Sequence, residues 1–179
     1  PRSGDALFVS GTLGDSALGL RLRLGEEFAD LSQSLRAEAL DRYLRPQPRL
    51  GLRAALRAEA TAAMDISDGL AKDLRRMCAA SGTGARVTFT KIPVSEAVRE
   101  ATRTDPTACR RLISSGDDYE VLCAVPRAKA NQFVAHAAAG GETVSEIGEF
   151  TDGSDVVLID ESSAKVDWQA SGYDHFPTG

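Results

Sequence analysis

The stretch from Tyr119 to Ile159 constrains the fold most. Tyr119 to Val125 reads as a strong strand, 127–138 as a helix ended by Gly140-Gly141, and 143–149 as a second strand. The turn Thr151-Asp152-Gly153-Ser154 leads into a third strand, Val156 to Ile159. This β-α-β-β order fits an α+β domain in which helices are layered on a mixed sheet. Upstream, Ala6 to Ser10 reads as a short buried strand broken by Gly11-Thr12-Leu13-Gly14-Asp15. Asp15 or Ser16 can cap a helix that runs through Leu24, with Ala17, Leu20 and Leu24 on one stripe. A second helix, Leu31 to Leu44, must stop at Arg45-Pro46-Gln47-Pro48-Arg49, because each proline restricts the residue before it. A third covers Leu50 to Glu59.

The middle of the chain continues the pattern. Thr61 to Met64 reads as a strand end, and Asp65 is expected to open a helix carrying Leu70, Leu74 and Met77, ending near Gly82. Ala85 to Thr90 alternates as a strand does, Val94 to Ala101 reads as a short helix, and another runs from Thr104-Asp105-Pro106 towards Leu112. Ser114 to Asp118 is expected to form a turn. Residues 1–179 are read as one domain, without internal repeat or linker.

Composition narrows the function classes. The 179 residues are 42% hydrophobic, enough for a real core and against disorder. With 21 Lys+Arg against 26 Asp+Glu the net charge is −5, and no basic block exists to hold nucleic acid. The longest strand-like apolar run, Val121 to Val125, is far short of the roughly 18–20 residues of a membrane span. Cys78, Cys109 and Cys123 are odd in number and widely spaced, and His136 and His175 sit far apart. They fit neither a zinc site nor a disulfide framework, and free thiols in a reducing cytoplasm are expected.

Two acidic motifs concentrate the chemistry. Met64-Asp65-Ile66-Ser67-Asp68-Gly69-Leu70 places two carboxylates and a hydroxyl where a strand hands over to a helix. A helix N-terminus suits phosphate, and carboxylates beside it suit Mg²⁺. Asp65 as N-cap with Asp68 at N3 also resembles a capping box, and the two readings are compatible. Ser115-Gly116-Asp117-Asp118-Tyr119-Glu120 does not match an EF-hand; it is either a solvated turn or a holder of a cation, a metal or a catalytic carboxylate. Gly11-Thr12-Leu13-Gly14 lacks the full phosphate-loop spacing and reads better as a plain turn. Arg45 and Arg49 read better as parts of a solvated loop than as phosphate ligands. Trp168 and Tyr173 either pin the tail to the core or stack on an aromatic ligand.

Taken in order, Gly11 to Leu20, Arg42 to Leu50, Met64 to Leu70, Ser115 to Glu120, and Trp168 with Gly172-Tyr173-Asp174-His175-Phe176 resemble one family over nearly the whole chain. They are similar to the C-terminal domain of thiamine-monophosphate kinase, in the superfamily of aminoimidazole ribonucleotide synthetase. The resemblance implies that superfamily's mixed sheet and ATP-dependent phosphorylation of thiamine monophosphate to thiamine diphosphate, in line and without a phosphoenzyme. It implies Asp65 and Asp68 as Mg²⁺ ligands, Ser67 and Arg2 as ATP contacts, and Asp117 and Tyr173 as contacts of the thiamine moiety. No catalytic base is assigned, because phosphoryl transfer depends mostly on positioning and charge neutralisation. A cytoplasmic homodimer is implied for the complete enzyme, with no nucleic-acid or membrane partner.

The sequence departs from the family at three places. The N-terminal ATP- and Mg²⁺-binding domain is absent from this chain, so a fragment, split product or ordered part of a longer enzyme, inactive alone, is expected. Asp117 stands where Glu is usual and Ser115 where Gly is usual. Arg2-Ser3-Gly4 runs almost directly into Asp5, where the family usually has a few more residues. The alternatives are another ATP-dependent synthetase or maturation enzyme of the superfamily, or a non-catalytic ligand-binding domain.

Overall fold

The computed structural model describes residues 1–28 and 30–166. Trp168 and Tyr173 therefore lie outside the described residues. Among the described residues seven strands form one sheet: β1 (Ala6–Ser10), β2 (Ala62–Ile66), β3 (Gly84–Thr88), β4 (Glu120–Val125), β5 (Val144–Thr151), β6 (Val156–Ile159) and β7 (Lys165–Val166), in the order β2-β4-β1-β5-β3-β6-β7. The β3–β6 pair is parallel and the other neighbours are antiparallel, so the sheet is mixed, as the tail pattern led us to expect. The helices are α1 (Asp15–Arg23), α2 (Gln33–Leu44), α3 (Arg53–Glu59), α4 (Leu70–Ser81), α5 (Glu96–Ala101), α6 (Pro106–Ser114) and α7 (Ala130–Ala139).

Strand alternation sorts the core into two layers. From β1 and β4, Leu7, Val9, Leu122 and Ala124 join Leu70, Leu74 and Met77 of α4 on one face. On the other face Ala6, Phe8, Cys123 and Val125 meet Ala55 of α3 and Ala130 and Phe133 of α7. Phe8 and Phe133 pack edge-on with ring centroids 5.2 Å apart, a favoured aromatic geometry. A third cluster, including Leu18, Ala39, Val98 and Leu112, joins α1, α2, α5 and α6. All three cysteines are free; Cys78 and Cys123 are buried, and burial pushes the Cys123 thiol up to about 12.

Several expected boundaries move: α3 and α7 each begin three residues later than expected, after a 3-10 turn. Asp65 does not open a helix: β2 continues through Ile66 because β4 offers ladder partners, Asp65 opposite Val121 and Ile66 opposite Glu120. Helix α4 starts after Gly69, whose φ of 102° suits glycine, and no side chain caps it. The expected capping box is thus absent. Strand β3 ends at Thr88 rather than Thr90, because its partner β6 ends at Ile159, opposite Thr88; Phe89–Lys91 then form a 3-10 turn.

Candidate functional site

The connection from β2 to α4 is held from within. Asp73, fully buried in the first turn of α4, accepts the backbone N–H groups of Ser67 at 3.1 Å and Asp68 at 2.9 Å. Burial pushes its carboxyl up, against those donors and against Arg76. The Arg76 guanidinium bonds Asp73 Oδ1 at 3.0 Å and also pairs with Asp68. Lys72 Nζ lies 3.9 Å from Asp68. Asp65 is exposed on the strand just before.

The second motif interlocks with the first. Asp117 N–H donates to Ser67 O, and Tyr119 N–H to Ile66 O, both at 2.9 Å. A Cβ on Gly69 would collide with the Ser114 carbonyl oxygen, and one on Gly116 with that of Ser67. Glycine at both positions therefore permits the close approach. Asp117 and Tyr119 have positive φ, 68° and 53°, which is uncommon outside glycine. Both are exposed, and the Tyr119 hydroxyl lies 3.4 Å from Asp117 Oδ1. The charges of Asp117 first, then burial and Asp65 and Asp68, push the Tyr119 phenol up.

Between them Asp118 points inward. It is buried and accepts from Gly14 N–H at 2.8 Å and Ser16 N–H at 3.2 Å. Burial, with Asp15 and Glu120 nearby, raises its carboxyl to about 7 despite those donors. The backbone N–H groups of Gly14 and Ser16 at the start of α1 thus already face a carboxyl group of the chain. Glu120 is also buried. It accepts from Ser10 Oγ, from Arg42 Nη2 at 2.6 Å and from Arg49 Nε at 2.7 Å; Arg49 reaches Glu142 at 3.4 Å as well. The solvated-loop reading holds for Arg45, which is exposed and paired with Asp41, and fails for Arg49, whose guanidinium is drawn inward by Glu120. The solvated-turn reading of the second motif likewise fails at Asp118 and Glu120.

The structure brings Asp65, Ser67, Asp68 and Asp117 to one end of the sheet. Arg2 lies elsewhere: its N–H bonds Asp5, which also accepts from Thr61 at the opposite end of β2. The five steps from Ala62 to Ser67 span roughly 16 Å. Asp65 and Asp68 offer hard oxygen ligands, which suit a Mg²⁺ shared with substrate phosphates. Asp68 would exchange Arg76 and Lys72 for the ion. Among the described residues no three His, Cys, Asp or Glu side chains converge on a metal position. A cavity of about 400 Å³ opens beside the carboxylates, lined by Arg23, Tyr43, Leu44, Pro46, Asp117 and Tyr119.

Sequence reasoning missed Asp73, Tyr119 and the inward roles of Asp118 and Glu120. For Asp73 a signal existed: an acid three residues after Leu70, on the apolar face that also carries Leu74 and Met77.

A mixed sheet layered with helices, with acidic residues gathered where β2 passes to α4 and α6 passes to β4, defines an α+β domain. The family of AIR synthase related proteins, C-terminal domain, matches residues 2–161, and the chain belongs to it. Among curated relatives, thiamine-monophosphate kinase of Caulobacter vibrioides is 42% identical over 158 residues, which cover 87% of this chain and 44% of that protein. Thiamine-monophosphate kinase from Stenotrophomonas maltophilia K279a superposes with a TM-score of 0.78 at 34% identity, covering 88% of this chain and 50% of that one. AaThiL complexed with AMPPCP and TMP gives 0.80 at 30% identity, covering 98% and 52%. The chain thus spans about half the length of the relatives it matches. No described helix is long and apolar enough to cross a membrane.

Proposed function

We propose that the protein carrying this chain phosphorylates thiamine monophosphate with ATP, and that this domain supplies part of the metal site and part of the thiamine site. The observation that carries the reading is the interlock of the two motifs. The Asp117 N–H bonded to Ser67 O holds the expected thiamine contact against the expected metal and ATP contacts. The likeness to AaThiL complexed with AMPPCP and TMP agrees with it.

In this reading Asp65 and Asp68 would hold Mg²⁺, which would supply charge neutralisation to the phosphates. Ser67 contacts ATP from the same connection. Asp117 and Tyr173 orient the cationic thiamine so that its phosphate meets the γ-phosphoryl in line. Asp73 fixes the backbone of Ser67 and Asp68, so the ligands need little rearrangement. Arg2 stands apart from this junction, and its ATP contact rests on the resemblance alone. The missing phosphate contacts, and a homodimer, would come from the remainder of the enzyme.

The test is Asp65→Asn in the full-length protein. Asp65 is exposed and caps nothing, so the melting temperature should stay within about 2 °C of wild type. Formation of thiamine diphosphate from ATP, Mg²⁺ and thiamine monophosphate should fall by about 10²-fold. Wild-type turnover by this variant would remove the metal assignment; absence of turnover in the unmodified protein would remove the reading itself.

A further inference from the structure

One aromatic ring beside the carboxylates, that of Tyr119, is one the family resemblance did not single out. Tyr119 is 43% exposed although it immediately precedes the buried strand β4. Its backbone sits in the left-handed region at φ 53°, as does that of Asp117 at 68°. Such conformations are strained outside glycine and persist only where the surroundings fix them. Here buried Asp118 is anchored to Gly14 and Ser16, and Tyr119 N–H to Ile66 O. The anchored backbone turns the residues on either side of Asp118 outward, into the same cavity.

The cavity has a definite chemistry. Tyr43, Leu44 and Pro46 at the end of α2 supply apolar surface, and Tyr119 adds a ring beside Asp117. Asp65 and Asp68 also act on that ring electrostatically. Arg23 and Asp117 are the charged residues of the lining, with exposed Asp65 near the ring and Asp68 paired with Arg76 and Lys72. An aromatic face among carboxylates attracts a flat organic cation through the ring quadrupole and through charge. An anionic or purely apolar ligand gains little from the same set.

We propose that Tyr119 forms the aromatic wall that receives the cationic ring of the thiamine substrate, with Tyr43, Leu44 and Pro46 completing the pocket and Asp117 supplying the charge. This rests on the reading that Asp117 faces thiamine. Tyr119 is then a specificity residue: it discriminates the charged ring from a neutral one of the same shape.

The experiment is calorimetric titration of the full-length protein with three probes: thiamine monophosphate, its uncharged thiophene isostere, and a non-hydrolysable ATP analogue. Wild type, Tyr119→Phe, Tyr119→Leu and Asp117→Ala are compared. Tyr119→Phe keeps the ring and should stay within about twofold of wild type for thiamine monophosphate. Tyr119→Leu should lose about tenfold for thiamine monophosphate, much less for the isostere, and nothing for the ATP analogue. Unchanged thiamine monophosphate affinity in Tyr119→Leu overturns the proposal, as does equal weakening of all three probes, which would indicate a packing role. Asp117→Ala separates the two levels. If it binds thiamine monophosphate as wild type does, the underlying site reading fails. If it loses binding while Tyr119→Leu does not, only the role of Tyr119 fails.

Discussion

Asp118→Asn tests the physics of the anchor directly. In the folded protein the Asp118 carboxyl titrates at about 7; in the unfolded chain it should titrate near the ordinary value of about 3.9. Between those values the unfolded chain has released the proton and the native state still holds it. Native protein therefore binds more protons, and stability falls as pH rises through the window. Below about pH 4 the term vanishes; above about pH 7 it stays at its full size. A difference of about three units at 1.36 kcal/mol each gives a ceiling of about 4 kcal/mol. Between about pH 4.5 and 7.5 the loss is about 3 kcal/mol. Asparagine keeps one acceptor oxygen where Asp118 offers one each to Gly14 and Ser16, a loss that does not vary with pH, and it does not titrate. Urea unfolding of both proteins across pH 4.5–8.5 isolates the term, since other groups cancel in the difference. Relative to wild type, the Asn variant should gain about 3 kcal/mol on going from about pH 4.5 to 7.5. A difference constant to within about 0.5 kcal/mol would mean that the two donors offset burial and that Asp118 remains ionised, refuting the argument.

Three further outcomes follow from the same geometry. Glu120→Ala leaves Arg42 and Arg49 without their shared buried carboxylate and should cost about 3 kcal/mol in urea unfolding; a loss below about 1 kcal/mol would show that the guanidiniums simply turn to solvent. Gly69→Ala should cost about 3 kcal/mol, from the φ of 102° and the collision with Ser114 O. Gly82→Ala, with φ 64° and open space around its Cβ position, should cost only about 1 kcal/mol, and equal losses would remove the close-approach argument. The 179-residue chain alone should melt cooperatively on its complete core yet form no thiamine diphosphate, because the carboxylates and the serine of one junction cannot neutralise a triphosphate; robust turnover would require a different active site.

How much of this was legible depends on the range of the interaction. The strands and helices of the tail follow from local periodicity, and each is found within about three residues of its expected bounds, the helix beginning at Ala130 after a 3-10 turn over Arg127–Lys129. The location of the two acidic motifs was also legible. Their internal roles were not. Asp65 and Asp68, three residues apart, look like a capping box, but the partner that keeps Asp65 in a strand is Val121, far along the chain. Nothing local distinguishes Asp118 and Glu120, which point inward, from Asp117, which does not. Polarity suggests solvent for all three, and the groups that satisfy the buried ones come from residues 10, 14, 16, 42 and 49.

That division of the acids has a consequence for how the site withstands change. Asp73, Asp118 and Glu120 are buried and spend their oxygens on backbone N–H groups, Arg side chains and Ser10. Asp65 and Asp117 are exposed, and Asp68 pairs with the side chains of Arg76 and Lys72. The first three hold the backbone in a shape that includes two left-handed residues; the others are free to meet ligands without unfolding anything. Substitution of an inward acid should therefore appear first in stability and its pH dependence, and in binding only as the junction loosens. Substitution of an outward acid should appear in binding alone. Asp117 belongs to the second class: in the proposed reading its shorter side chain would alter reach towards the substrate while Asp118, its neighbour, keeps the loop where it is.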